Sequence, residues 1–335
     1  MTATVIVDAL WGDSGKGKAC AHLARRDGAA LTVRAGMGTN AGASVTLDDG
    51  VLVKQRQLPT GWINPGTSVA VGPGVMVDPR VFLDEVERFG LRGRAFVDGR
   101  CGVITADHAA AERDDANLMA VVGSTASGTG RARADFVLRR ASQVKDVAEL
   151  AEYTVDVPRL VNDAARDGGV IVEGSQGTML SLAFSPDYPY TTSGNCTTAA
   201  AIDDAGLNWR LVTDVVMVVK AMPTRVGGGP LPFEMSGEEA VARGIAEYGV
   251  NTGRQRRKAS KVDPELLAYA AMLNGPTQIA LTFTDHLDPA MKSRRTGDAL
   301  TPEVRRVIAE VEEATGAPVT MLDTGPGVSD VVDLA

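Results

Sequence analysis

A turn rich in glycine and lysine near the N-terminus has the residue types of a phosphate-binding site. A β-branched run at residues 5–7 predicts a buried strand, and the sequence GDSGKGK at 12–18 follows it. The residues after the turn predict the first helix. Backbone N–H groups at such a strand–turn–helix junction point toward phosphate oxygens. The stretch therefore predicts phosphate binding at residues 12–18.

This turn differs from a standard P-loop at one position. Gly12 and Gly17-Lys18 have the P-loop spacing, but Ala19 stands where a Ser or Thr would ligate Mg²⁺. Asp13, inside the turn, is the better candidate for a metal ligand. The alternative is a tight strand–helix turn that only needs glycine. Three glycines and two lysines within seven residues favour the phosphate site.

Six more loops of small polar residues follow along the chain, around residues 40, 125, 176, 192, 226 and 254. Any one of them is explained by ordinary turn chemistry. Seven such loops on one scaffold favour a shared set of anionic ligands, since they offer neutral donors and a few cations. The arginines at 254, 256 and 257 are either a solvated basic face or a clamp for a carboxylate or phosphate.

Strands and helices alternate along the chain, and the small polar loops come after the strands. This order predicts an α/β fold with a mainly parallel central sheet, flanking helices and a P-loop-like nucleotide site at the carboxyl ends of the strands. Helices are predicted over 134–142 and, with a break before Pro158, over 144–167. Repeats and convincing linkers are absent, so residues 1–335 are predicted to form a single domain with loop subdomains.

The composition limits the classes of partner. The chain has 335 residues, is 44% hydrophobic and has a net charge of −8, which argues against nucleic acid or an anionic membrane as the main partner. Three distant cysteines fit neither a disulfide framework nor a zinc site and predict a reducing cytoplasm. Only three histidines are present, so catalysis is not expected to depend on histidine.

The sequence resembles the adenylosuccinate synthetase family, ligases that join aspartate to C6 of a purine nucleotide. The matching pieces occur in the family's order from end to end of the chain. They are residues 11–18 (WGDSGKGK), 38–42 (GTNAG), 173–178 (EGSQGT), 188–193 (YPYTTS), 224–230 (TRVGGGP), 251–257 (NTGRQRR) and 324–326 (TGP). The length is similar to that of the short archaeal form. One branch of this form comes from phages that replace adenine by 2-aminoadenine, and it acts on dGMP instead of IMP.

The resemblance implies a carbon–nitrogen ligase that uses Mg²⁺ and ATP or GTP as phosphate donor. The family removes the N1 proton, phosphorylates O6 and lets the aspartate amine displace phosphate. By this resemblance Asp13, Lys16 and Gln176 are catalytic, and Asp13 and the Gly42 carbonyl bind the metal. The implied donor-binding residues are Gly12, Ser14, Gly15, Lys16, Gly17, Lys18, Asp285, Thr324 and Gly325.

The same resemblance assigns the two other substrates. The implied purine-monophosphate residues are Asp13, Ser14, Asn40, Ser124, Thr125, Arg139, Gln176, Thr192 and Val226. The implied aspartate-binding residues are Asn251, Thr252, Arg254 and Arg256. Arg139 matches an arginine that reaches the phosphate from the partner subunit, which implies a homodimer in the cytoplasm, or in the host cytoplasm if the protein is phage-encoded.

Three positions depart from the family. Ala43 stands in place of a general-acid histidine, Ser14 in place of an acidic residue, and Phe283 in place of a lysine in the donor-base motif. Ala43 and Ser14 favour a shifted substrate, so the expected reaction joins dGMP and aspartate to give 2-amino-2′-deoxy-N6-succinyladenylate. The alternatives are an IMP-using adenylosuccinate synthetase and a nucleotide-binding regulatory homologue without turnover. The retained Asp13 and Lys16 argue against the last.

Overall fold

The computed structural model describes residues 2–248, 255–297 and 300–334. The strands in these ranges are β1 (Ala3–Asp8), β2 (Leu31–Arg34), β3 (Ala43–Thr46), β4 (Leu52–Gln55), β5 (Ser68–Val71), β6 (Ala95–Asp98), β7 (Thr154–Val155), β8 (Val170–Glu173), β9 (Val212–Lys220), β10 (Thr224–Arg225), β11 (Glu234–Met235), β12 (Arg257–Ala259), β13 (Gln278–Thr282), β14 (Val319–Asp323) and β15 (Val331–Asp333). The helices are α1 (Lys16–Asp27), α2 (Pro79–Arg88), α3 (Ala106–Arg113), α4 (Thr129–Val137), α5 (Val157–Asp167), α6 (Thr198–Ala205), α7 (Gly237–Ala242), α8 (Pro264–Asn274), α9 (Thr284–Leu287) and α10 (Pro302–Thr315).

Within the described ranges, ten strands form one sheet in the order β15-β14-β13-β9-β1-β8-β2-β5-β6-β7. Every neighbouring pair is parallel except β14 and β15. The prediction of a mainly parallel α/β sheet is therefore confirmed. Smaller antiparallel units, β3–β4 and β10-β12-β11, lie outside it.

The central strand β1 is buried on both faces, as its β-branched run predicts. Val5 and Val7 pack into the core on one face of the sheet, and Ile6 packs with α1 on the other. This alternation follows from the two-residue period of a strand. Helices cover both faces, so the carboxyl edge of the sheet is where loops are left to bind ligands.

Two predicted helices have different bounds. Residues 144–153 form short 3₁₀ turns, followed by β7, so the helix predicted over 144–167 begins only at Val157. The cause is tertiary, because β7 pairs with β6 at the edge of the sheet. The helix predicted over 134–142 is α4, which ends at Val137, so Arg139 lies beyond it. None of the described helices is both long and apolar enough to cross a bilayer.

Candidate functional site

Six parallel strands end at the same edge of the sheet, where several of the predicted loops begin. Strands β1, β2, β8, β9, β13 and β14 end there, and polar or charged residues terminate them: Asp8, Arg34, Glu173, Lys220, Thr282 and Asp323. The loops around residues 12, 40 and 176 follow β1, β2 and β8, and the segments around 285 and 324 follow β13 and β14. Of the other predicted loops, the one around 226 follows β10, those around 125 and 192 do not follow a strand of this sheet, and residues 251–254 lie outside the described residues.

The turn at 12–15 holds a left-handed backbone that glycine tolerates best. Gly12 and Gly15 have φ of 79° and 89°, and Asp13 has φ of 53°. The Asp8 carboxylate accepts hydrogen bonds from the N–H groups of Leu10 and Gly12 at 2.6 and 3.2 Å. These bonds to Asp8 fix the turn. Helix α1 begins where the turn ends, with Gly15 as N-cap and no side-chain capping bond. A helix start of this kind directs N–H groups at an anion.

The two lysines of the turn have different surroundings. The Lys16 Nζ donates to the Gln176 carbonyl at 2.5 Å and lies 3.7 Å from the Asp8 carboxylate. Burial lowers the pKa of Lys16. The Lys18 ammonium donates to Asp323 Oδ1 at 2.5 Å and to the carbonyls of Gly325 and Asp330 at 2.6 and 2.9 Å. All three of its protons are used within the protein, so Lys18 stabilises the segment after β14.

Asp13 lies against Arg256, the residue just before β12. Its carboxylate pairs with the Arg256 guanidinium, and its backbone carbonyl accepts a hydrogen bond from Lys220 Nζ at 3.0 Å. Burial lowers the pKa of Arg256. The other implied aspartate-binding residues, Asn251, Thr252 and Arg254, lie outside the described residues. Of the four implied aspartate-binding residues, Arg256 is the one that the structure describes, and it pairs with Asp13.

Ser14 is fixed by its main chain. Its carbonyl accepts a hydrogen bond from the Thr282 hydroxyl at 2.7 Å, which places Ser14 at the end of β13. The Ser14 hydroxyl is buried and has no hydrogen-bond partner among the described residues. A buried hydroxyl left unpaired is costly, so a further hydrogen-bond partner for this group would be favourable.

The loop after β2 packs on the first turn of α1. A Cβ added at Gly17 would lie 2.7 Å from the Ala43 Cβ and 2.9 Å from Thr60 Cγ2. Only glycine fits there. Ala43 therefore lies beside the phosphate turn, and Gly42 lies against Gln55 and Arg56.

The predicted purine-monophosphate residues lie on several loops. Asn40 Nδ2 donates to Thr192 Oγ1 at 3.3 Å, and Gln176, with φ of 58°, offers its carbonyl to Lys16. On the loop before α4, Ser124 hydrogen-bonds the buried Glu112, and Thr125 donates to Ser127 at 3.3 Å.

The loop that carries Ser124 and Thr125 lies against the loop after β10. The Gly228 N–H donates to the Val122 carbonyl at 3.2 Å, which places the exposed Val226 near Ser124 and Thr125. Arg139 is exposed, just beyond α4, with φ of 59°. Among the described hydrogen bonds its side chain has no partner.

Three of the predicted donor residues, Asp285, Thr324 and Gly325, lie after β13 and β14. The Thr284 hydroxyl donates to the Asp323 carbonyl at 2.8 Å, and the Thr324 hydroxyl donates to the Arg294 carbonyl at 2.6 Å. Asp285 is half-buried, and burial together with Asp323 raises its pKa. Gly325 lies against Asp330, because an added Cβ would be 2.9 Å from its carboxylate.

Sequence reasoning missed a group of charged residues beneath the site. Lys220 ends the apolar strand β9, and Glu247 pairs with both Lys220 and Lys258. A charge at the end of an otherwise apolar strand is a signal for Lys220. Glu247 and Lys258 carry no such local signal, since only the tertiary fold brings them together.

Comparison with known proteins agrees with this geometry. The family model described as adenylosuccinate synthetase matches residues 5–151 and 146–293. Adenylosuccinate synthetases from Archaeoglobus fulgidus and Methanocaldococcus jannaschii are 44% and 43% identical to the chain; each match covers 100% of this chain and 98% and 97% of the relative.

Two solved structures are similar over the whole chain. A fully ligated adenylosuccinate synthetase from Plasmodium falciparum has a TM-score of 0.91 at 20% identity and covers 100% of both chains. Succinoaminodeoxyadenylate synthetase (PurZ) of cyanophage S-2L, bound to dGMP and to dATP as an energy donor, has a TM-score of 0.83 at 25% identity and covers 99% of this chain and 95% of its own. The chain therefore belongs to the adenylosuccinate synthetase family, carbon–nitrogen ligases that join aspartate to a purine nucleotide and use Mg²⁺ and a nucleoside triphosphate.

Proposed function

We propose that the protein joins L-aspartate to C6 of dGMP, with cleavage of a nucleoside triphosphate. The observation that carries the choice of dGMP is the buried Ser14 hydroxyl, which has no partner among the described residues and can accept a hydrogen bond from the 2-amino group of guanine. Hypoxanthine has no such group and would leave the hydroxyl unpaired. The similarity to a cyanophage enzyme bound to dGMP supports the same choice.

Asp13 is the residue that acts on the purine ring. Its carboxylate takes the N1 proton, which makes O6 a nucleophile toward the terminal phosphorus of the triphosphate. The nucleoside diphosphate leaves as the O6–P bond forms. The amine of aspartate then attacks C6, and the C6–O bond breaks with release of phosphate. The left-handed turn, held by Asp8 and Lys220, supports a fixed direction for this carboxylate.

Positive and dipolar groups of the turn hold the transferred phosphoryl group. Lys16 and the N–H groups at the start of α1 surround the place where charge develops, and Gln176 fixes Lys16 through its carbonyl. Lys18 is already paired, so its proposed role is to keep Thr324 and Gly325 in place for the donor base.

The residues of the site fit Mg²⁺. The proposed ligands, the Asp13 carboxylate and the Gly42 carbonyl, are hard oxygen donors. No cluster of three or more His, Cys, Asp or Glu residues is found in the described part of the chain. Mg²⁺ commonly takes one or two carboxylates together with substrate phosphates, so this sparse set suits it. The bound ion would neutralise phosphate charge during transfer.

The donor base is proposed to lie against Asp285, Thr324 and Gly325. A carboxylate accepts from both N1–H and the 2-amino group of guanine, whereas adenine offers only its 6-amino group. Asp285 therefore supports GTP, and ATP is the alternative.

The other substrates and the assembly follow from the site. Asn40, Thr125, Gln176, Thr192 and Val226 are proposed to hold the purine monophosphate together with Ser124. Arg256 is proposed to bind a carboxylate of aspartate, with Asn251, Thr252 and Arg254 from the neighbouring segment. Arg139 is proposed to reach the nucleotide phosphate of a second copy in a cytoplasmic homodimer, each copy being one domain over residues 1–335.

The second candidate is the IMP reaction of adenylosuccinate synthetases. It is favoured by whole-length relatives of that name at 44% identity. Ala43 counts against it, because a methyl group cannot donate a proton or a hydrogen bond to O6. A homologue that binds nucleotides without turnover is a third, weaker candidate.

Phosphate release separates the three. The protein is incubated with Mg²⁺, aspartate, GTP or ATP, and either dGMP or IMP, and the nucleotide product is identified by mass. Aspartate-dependent release with dGMP supports the proposal, and release with IMP alone supports the second candidate. No release with any combination, from protein that binds the nucleotides, would leave only the non-catalytic homologue.

A further inference from the structure

A buried group of charged side chains lies directly beneath the Asp13 turn. It consists of Lys220 at the end of β9, Glu247, Lys258 on β12 and His286 on α9. Glu247 pairs with the ammonium groups of both lysines, at 2.7 Å to Lys220, and Lys258 Nζ lies 3.0 Å from His286 Nδ1. The two lysine side chains are 2% and 1% exposed. We call these four residues the Lys220 cluster.

Lys220 joins three separate segments through its ammonium group. Nζ donates to the Asp13 carbonyl at 3.0 Å, to the Thr224 hydroxyl at 2.9 Å and to Glu247 at 2.7 Å. An ammonium has three protons, and each has one acceptor here. The position of the Lys220 ammonium is therefore set by Asp13, by Thr224 of β10 and by Glu247.

Phe283 covers the same ammonium group. Its ring centroid is 4.2 Å from Lys220 Nζ, and its ring meets that of His286 edge-on at 5.1 Å. Phe283 has φ of 58°, a backbone state that a bulky residue rarely adopts. A lysine at this position, as the family resemblance suggests, would put a further cation against the ammonium. The aromatic ring instead stabilises the cation that is present.

Glu247 links the cluster to the segment that carries the proposed aspartate-binding residues. Its carbonyl accepts from the Arg256 N–H at 2.8 Å, and Tyr248 pairs with Gln255 in an antiparallel bridge. We call this bridge, which joins the two residues that flank positions 249–254, the base of the segment. The carboxylate of Glu247 ties this base to Lys220, and through Lys220 to Asp13.

The charges of the cluster are balanced by pairing rather than by solvent. Burial alone would raise the pKa of Glu247, but Lys220 and Lys258 outweigh it, and the pKa lies below the usual value. Burial lowers the pKa of both lysines. The side chains of the Lys220 cluster are expected to keep one arrangement. Loss of one charged partner would leave the other charge buried and unpaired, which is costly.

We propose that Lys220 is a positioning residue that sets the Asp13 turn in register with the base of the aspartate-binding segment. This inference rests on the proposed function, in which Asp13 is the base and the 249–254 segment binds aspartate. Lys258 holds Glu247 but makes no contact with Asp13 among the described hydrogen bonds. The two lysines therefore have separable effects on the reaction.

The test compares Lys220→Met with Lys258→Met. Each variant removes one ammonium from Glu247 and keeps a side chain of similar length. Both are expected to raise the KM for aspartate, since both loosen Glu247. Only Lys220→Met is expected to lower kcat as well, by roughly 10- to 100-fold, the scale of a small misplacement of a reacting group. The KM values of the monophosphate and the triphosphate should change by less than the KM of aspartate, because Glu247 joins Lys220 to the segment that is proposed to bind aspartate.

Thermal unfolding and binding of the purine monophosphate by calorimetry establish that each variant is folded. If Lys220→Met is unfolded, Glu247→Gln, which keeps the shape of the cluster, replaces it and is expected to raise the KM for aspartate and lower kcat. Equal kcat values for folded Lys220→Met and Lys258→Met, or for Glu247→Gln and the parent, would overturn the proposal. An active Asp13→Asn variant would instead overturn the proposed function, so the two failures are distinguishable.

Discussion

Asp13 is the residue on which the proposed reaction depends most. It sits in a left-handed turn, pairs with Arg256, and its carbonyl is held by Lys220. A non-glycine residue in this backbone state is sparsely populated and is retained where surrounding contacts enforce it. The sequence predicted Asp13 from its place inside a phosphate turn. The contacts that fix it come from β9 and from the segment after β11, which no local pattern could reveal.

Replacement of Asp13 tests the proposed base. Asp13→Asn keeps the size of the side chain but removes the proton acceptor and weakens a metal ligand. Turnover is expected to fall by roughly 10³-fold or more, because the general-base and metal contributions are both lost. Steady-state phosphate release measures it. Glu234→Gln, an exposed change at a side chain that pairs with Arg257, serves as control, and near-parental turnover of Asp13→Asn would refute the role.

The junction between the phosphate turn and α1 is the element that organises the site. Its glycines serve different purposes: Gly12 and Gly15 supply left-handed backbone, and Gly17 allows close approach of Ala43 and Thr60. The glycine spacing predicted this junction correctly. It did not predict that Lys18 would be used to hold the segment after β14, because that requires Asp323 and Asp330 from the other end of the chain.

A methyl group at Gly17 is expected to destabilise the protein. Alanine is favoured over glycine inside a helix by about 1 kcal/mol. Here the added Cβ would lie within 3 Å of two other side chains, and overpacking of this kind costs about 1–3 kcal/mol. Denaturant unfolding of Gly17→Ala should therefore show a net loss of stability. Gly66→Ala, where the added atom meets nothing within 4 Å, should be close to the parent. A Gly17→Ala variant as stable as its parent would contradict the close approach.

The sequence predicted the fold class of the whole molecule, but not the bounds of every element or the pairing of distant residues. Alternating apolar runs and polar loops indicated a parallel sheet with ligands at its carboxyl edge, and ten strands in the described ranges form it. Residues 144–153 escaped prediction because pairing at the sheet edge overrode their helical spacing. The buried ion pair of Arg34 with Glu173, 2.8 Å apart, likewise depends on the neighbouring positions of β2 and β8.

Stability should depend on pH through Asp204 of α6. Burial raises the pKa of this carboxyl to about 6, and it accepts a hydrogen bond from the Gly36 N–H at 3.0 Å. The folded state therefore binds an extra proton between pH 4 and 6, and the stability from Asp204 is lost as the pH rises through that range. Asp204→Asn keeps an acceptor oxygen without titrating.

Between pH 4.5 and 7.5 the Asp204→Asn variant should gain about 1–2 kcal/mol relative to the parent. Urea unfolding at several pH values measures the difference. A difference that stays constant with pH would mean that the pKa of Asp204 is not raised.

The proposed dimer predicts complementation between two impaired variants. Arg139→Ala should raise the KM of the monophosphate much more than that of the triphosphate, because Arg139 would contact only the former across the interface. Mixing Arg139→Ala with Asp13→Asn should restore part of the activity, since one site of a hybrid contains both residues. Subunit exchange is checked with differently tagged copies. Exchange without any recovered activity would argue against an arginine acting across the interface.

The choice between dGMP and IMP is the central claim, and one ratio tests it. The kcat/KM for dGMP and for IMP is measured with the same protein at saturating aspartate, GTP and Mg²⁺. A site with a polar group for the 2-amino substituent should favour dGMP by about 10²-fold or more, since the wrong substrate leaves that group unpaired. We predict a ratio of this size, and Ser14→Glu is expected to lower the ratio because the larger side chain would crowd the 2-amino side. Turnover of IMP as efficient as that of dGMP, or more so, would contradict it.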